Sequence, residues 1–75
     1  MTAWQERIEV NPKILVGKPI VKGTRLGVDF ILDLLAQGWT MDKIVKNYPQ
    51  LKKEDIKAVL EYSADTVKLE SVYPL

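Results

Sequence analysis

The apolar positions of this chain follow two periods, and the change of period falls near residue 27. Before it, apolar residues come in short extended pieces. Arg7-Ile8-Glu9-Val10 alternates polar and apolar, the period of a strand. Asn11-Pro12 marks a turn, because the proline ring pushes the preceding residue away from helical angles. Pro19-Ile20-Val21 and Arg25-Leu26 then flank Lys22-Gly23-Thr24, where Gly23 accepts the positive φ of a tight turn. These signals predict a small hairpin or ribbon built on that turn, with Pro19 at an edge or a strand start.

From Val28 onward the spacing is helical. Val28, Ile31, Leu32 and Leu35 fall at i, i+3, i+4 and i+7, and Phe30 and Leu34 add a second stripe beside them. Asp29 suits a first turn and Gly38 a C-terminal cap. Thr40 reads as the N-cap of a second helix, with Asp42 in its first turn, a stripe of Met41, Ile44, Val45 and Tyr48, and Pro49 as its stop. The third helix is expected near Lys53, with Leu51 and Ile56 spaced as a hydrophobic staple and Glu54 and Asp55 in the first turn. Lys52, at the cap position, has no side-chain acceptor. Ile56, Val59, Leu60, Ser63 and Val67 form the expected inward face, opposite Lys53, Lys57, Glu61 and Asp65. The expected organisation is one domain: an extended or β element over 1–27, a three-helix unit over 28–70 and a tail over 71–75.

Composition narrows the chemistry. A chain of 75 residues has a thin core, so a homodimer or another partner is expected to supply missing stability. Cys and His are both absent, which removes disulfides, thiolate zinc sites and the commonest general base. No enzyme, cofactor or metal site is expected. Asp29 and Asp33 at i, i+4 read as the solvated edge of an apolar helix rather than a metal pair. Gly17-Lys18-Pro19 fails as a phosphate loop, which needs Ser or Thr after the lysine and then a helix. The longest apolar runs are three residues, against roughly 18 for a bilayer crossing, and a cytoplasmic location without membrane contact is expected.

The net charge of +1 conceals a pattern. Lys13, Lys18, Lys22 and Arg25 lie in one acid-free window, and Lys43, Lys46, Lys52 and Lys53 in a second, while the last third is acidic. The second and third helices, joined by Pro49-Gln50-Leu51-Lys52, have helix-turn-helix dimensions. In that arrangement Lys52, Lys53 and Lys57 would contact phosphate, Gln50 would read a base, and Lys22 and Arg25 would touch backbone. Glu54 and Asp55 oppose this unless Asp55 turns toward the helix end. Trp39 and Tyr48 read as caps on a small core. Trp4, outside the periodic segments, together with Phe30 and Leu34, is expected at a dimer or partner interface.

The run Gly17-Lys18-Pro19-Ile20-Val21-Lys22-Gly23-Thr24-Arg25-Leu26, followed by Gly38-Trp39-Thr40, Tyr48-Pro49-Gln50-Leu51 and Leu60-Glu61-Tyr62, resembles the bacterial family called domain of unknown function 433. The resemblance covers about residues 8–62 and departs at Lys52, where the family usually carries Ser or Thr. It implies a mainly α fold: a three-helix, homeodomain-like helix-turn-helix bundle preceded by a short N-terminal β-hairpin or ribbon. It also implies an antitoxin of a type II toxin–antitoxin pair, binding operator DNA and masking a PIN-like toxin nuclease. The alternative is a protein-interaction module without DNA binding, using the first helix and the Trp4 and Tyr73 ends.

Overall fold

The computed structural model of the protein describes residues 4–70; Tyr73 and the rest of the expected tail lie outside them. A 3-10 turn at Trp4–Glu6 leads into strand β1 (Ile8–Val10), and a second turn at Leu15–Gly17 into strand β2 (Pro19–Val21). Helices α1 (Val28–Ala36), α2 (Met41–Asn47) and α3 (Lys53–Glu70) follow. The fold is mainly helical, with a two-stranded antiparallel ribbon in front.

The ribbon differs from the expected hairpin in its pairing. β2 pairs with β1, in the register Ile8↔Val21, Glu9↔Ile20 and Val10↔Pro19. Arg25-Leu26 forms no strand; the turn contributes a single bridge, Ile20↔Gly27. The cause is local. Gly23 takes φ 78°, the Thr24 hydroxyl donates to the Val21 carbonyl at 2.8 Å, and the Leu26 N–H donates back to that hydroxyl at 3.0 Å. A turn tied this tightly hands the chain straight to α1, so β2 finds its ladder partner upstream.

The helix boundaries follow their caps. Gly38, at φ 95°, ends α1: its N–H donates to the Leu35 carbonyl and that of Trp39 to the Leu34 carbonyl, both at 3.0 Å. This is the Schellman pattern, which places a residue with positive φ just past the helix. Gly38→Ala is therefore expected to cost about 1–2 kcal/mol, read as a fall in the thermal midpoint. Thr40 caps α2, its hydroxyl accepting the Lys43 N–H at 3.1 Å.

The core joins Ile8, Ile20 and Val21 of the ribbon to Val28, Ile31 and Leu34 of α1, Ile44 of α2, and Leu51, Ile56, Ala58 and Val59 at the start of α3. Two expectations change here. Leu34 is 7% exposed and sits inside the chain's own core, so it is withdrawn as an interface residue. Leu60 and Val67, expected to point inward, are 41% and 65% exposed. The buried face of α3 is rotated toward Asp55, Ala58 and Val59, because the ribbon and the Trp4 turn pack there as well as α1 and α2.

Candidate nucleic-acid interface

α3 begins without a capping side chain at Lys52, and the structure shows what replaces one. Leu51 and Ile56 are buried on either side of the start, forming the staple. Asp55, at the third helical position, turns back: its Oδ2 accepts the Lys52 backbone N–H at 2.9 Å. Its Oδ1 accepts Nη1 of Arg7 at 2.9 Å, and the Asp55 side chain is 9% exposed. This is the carboxylate half of a capping box, completed from β1's side by a guanidinium.

That inward turn decides the surface electrostatics of the joint. Lys43, Lys46, Lys52, Lys53 and Lys57 are all exposed over α2 and the first turns of α3, and the exposed acids there are Asp42 and Glu54. The helix macrodipole adds positive potential at the α3 N-terminus, where the first N–H groups lack intrahelical partners. Acidic character resumes further along α3 with Glu61 and Asp65, and Asp65 accepts the Trp4 indole N–H at 2.7 Å.

The remaining polar contacts set the shape of this surface. Lys53 Nζ lies 2.6 Å from Asp42 Oδ1, linking the first turns of α2 and α3. The hydrogen bond and charge of Asp42, with a smaller contribution from Glu54, raise the Lys53 pKa above the ordinary lysine value. The lysine is therefore cationic throughout the physiological pH range. Lys43 Nζ sits 4.2 Å from the centre of the Trp39 ring, and Trp39 leans on Tyr48 with ring centres 6.4 Å apart. Phe30 meets Tyr48 edge-on at 5.5 Å. Trp39 and Tyr48 are both half-buried against the core, as cap residues are.

The expected nucleic-acid residues fall into two groups. Gln50, Lys52, Lys53 and Lys57 are exposed together at the joint and along the first turns of α3. Lys22 and Arg25 belong to the turn after β2. Lys22 Nζ donates to the Gln5 carbonyl at 3.1 Å, beside the Trp4 turn. Arg25 lines a hollow with Lys18, Leu26, Asp29 and Phe30 at the α1 N-terminus. Of the expected interface residues, Phe30 is 37% exposed. Trp4 is half-buried on its own chain, edge-on to Tyr62 at 4.9 Å.

The pairing of Arg7 with Asp55 escaped sequence reading. The carboxylate three residues after Lys52 is a legible capping signal, but its partner lies 48 residues away. A second surface feature was equally hidden. An open apolar groove of about 380 Å³ runs between α1 and α3, lined in part by Val28, Leu32, Tyr62, Thr66 and Val67.

Three helices with a tight α2–α3 joint, fronted by a two-stranded ribbon, define a small, mainly helical domain. The chain belongs to the family described as Protein of unknown function (DUF433), whose model matches residues 8–63. It is similar to a DUF433 member protein from Anabaena variabilis solved by crystallography: TM-score 0.79, 26% identity, 87% of this chain and 64% of that one. An uncharacterized protein, y4eO, of Sinorhizobium fredii is 30% identical over 63 residues, which are 84% of this chain and 28% of that protein. An uncharacterized protein of Archaeoglobus fulgidus is 58% identical over 24 residues, 32% of this chain and 67% of that protein. The chain thus spans less than two thirds of the Anabaena and Sinorhizobium proteins. Among the described residues, no helix is long and apolar enough to cross a membrane.

Proposed function

We propose that the protein is an antitoxin-like DNA-binding protein, without catalytic activity of its own, that presents the N-terminal turns of α3 to the major groove of operator DNA and masks a toxin nuclease. The observation that carries the DNA reading is the inward turn of Asp55. It removes a carboxylate from the first turn of α3 and leaves Lys52, Lys53 and Lys57 outward beside Gln50. Glu61 and Asp65 oppose a lengthwise approach, so the helix enters N-terminus first. The masking role rests on the family resemblance.

A gel shift with DNA from upstream of the gene, titrated with salt, tests the reading. Affinity is expected to fall with a log–log slope near −0.9 for each phosphate contact. Lys53→Glu should weaken binding to operator and random DNA alike, whereas Gln50→Ala should weaken operator DNA more, by about 1–3 kcal/mol. Salt-independent binding, or none at low salt, would refute it.

The second reading, a protein-interaction module, is favoured by the apolar groove beside Val67. Homodimerisation belongs to both readings, with Phe30 as the exposed apolar anchor. Phe30→Glu is then expected to yield a monomer, because a carboxylate would be desolvated without a partner. Light scattering that finds the unmutated protein monomeric at tens of micromolar would contradict dimerisation.

A further inference from the structure

Lys53 is the first residue of α3, and unlike a bare surface lysine its ammonium already holds a carboxylate. Nζ lies 2.6 Å from Asp42 Oδ1, within a charge-assisted hydrogen bond. Asp42 is not needed to close its own helix, since Thr40 already caps α2 through the Lys43 N–H. Nor is the pair buried: the two side chains are 57% and 80% exposed, so it brings little to stability. Lys43 and Lys46 on α2 and Lys52 and Lys57 at the start of α3 are all exposed, and Glu54, beside Lys53, is the other exposed acid of that stretch. A carboxylate oxygen held there makes with Lys53 the same kind of charge-assisted bond that a phosphate oxygen makes.

We propose that Asp42 is a built-in competitor for DNA phosphate, holding Lys53 until a backbone phosphate displaces it and so setting the affinity of the helix-turn-helix for all duplexes. The inference rests on the DNA-binding reading above and adds to it a named regulator of the same surface. Its logic is exchange. Water-exposed ion pairs are weak and open readily, and a phosphodiester in a line of phosphates offers Lys53 the same bond with more surrounding negative charge. Once displaced, Asp42 remains near the backbone and repels it. Both effects lower affinity uniformly, and neither depends on base sequence.

The test is a double-mutant cycle on the full chain. The unmutated protein, Asp42→Asn, Lys53→Gln and the double variant are titrated against one 20-base-pair duplex by fluorescence anisotropy at low salt, after circular dichroism confirms that all four are folded. Asp42→Asn is expected to tighten binding about two- to fivefold, the scale of one exposed ion pair. The salt slope should stay close to that of the unmutated protein, since Lys53 contacts phosphate in both complexes. In the Lys53→Gln background the gain should shrink to the part that comes from Asp42's repulsion of phosphate alone. Should Asp42→Asn gain equally with and without Lys53, the carboxylate acts only as a bare charge and the competitor role is overturned, while DNA binding stands. Should Asp42→Asn leave binding unchanged or weaker, the competitor role is overturned in the same way. If neither the unmutated protein nor Asp42→Asn binds the duplex at low salt, the inference falls together with the DNA reading.

Discussion

Replacing Asp55 with alanine is expected to remove about 2–4 kcal/mol of folding free energy. Two losses combine. The Lys52 N–H at the start of α3 loses its acceptor, and the Arg7 guanidinium loses the carboxylate it meets at 2.9 Å in a half-buried site. A helix cap alone contributes about 1 kcal/mol, and losing the carboxylate of this half-buried ion pair adds to it, moderated because the surviving Arg7 side chain is 32% exposed. For a domain of this length the total stability is of order 4–11 kcal/mol, so the variant sits near its unfolding threshold. The thermal midpoint should fall by roughly 10–25 °C.

Two companion substitutions distinguish the losses. Asp55→Asn keeps an acceptor for Lys52 but turns an amide donor toward Arg7, so an intermediate cost is expected. Arg7→Met preserves the cap but leaves the Asp55 carboxylate, 9% exposed, without its charged partner, so it isolates the ion-pair part of the loss from the cap part. Chemical denaturation showing Asp55→Ala within about 0.5 kcal/mol of the unmutated protein, the range of an ordinary surface change, would contradict this role.

The elements legible in the sequence were those whose signals are local. Gly38, Thr40, Pro49 and the Leu51–Ile56 staple each mark a helix boundary by their own chemistry, and α1 ends, α2 begins and ends, and α3 begins where those residues stand. What the sequence hid depends on residues far apart. The β1–β2 pairing joins segments across an eight-residue connection, and a good turn at Gly23 suggested a nearer partner. The inward face of α3 was misplaced because Leu60 and Val67 carry helical spacing and apolar side chains, while the Trp4 turn and β1 draw the helix round to Asp55, Ala58 and Val59. Leu34 looked like a spare stripe because periodicity counts one partner surface, and α1 in fact faces both the ribbon and α3. The lysines of the joint were readable as a group. Asp55's withdrawal from that surface was readable only as an alternative, since Arg7 completes it from the other end of the chain.

Reversing charge at Lys52 and Lys53 together is expected to reduce affinity for duplex DNA at low salt about hundredfold or more. Each lysine lost removes one phosphate contact with its counterion release, and each glutamate gained adds repulsion at the same place. Glu54 follows them directly and is exposed, so the double reversal turns the start of α3 into a run of acids. Fold stability should change little, because both side chains are exposed and the Asp55 cap uses the backbone of Lys52. Unchanged affinity at low salt would remove α3's first turn from DNA recognition and leave the protein-interaction reading in its place.

The most direct test follows backbone amide resonances of the unmutated protein during titration with a duplex from upstream of its gene. N-terminus-first docking predicts shifts concentrated from Gln50 to Lys57 and at Lys43 and Lys46, with Tyr62, Thr66 and Val67 undisturbed. Shifts centred on the groove residues Leu32, Tyr62, Thr66 and Val67, or no shifts at low salt, would contradict it.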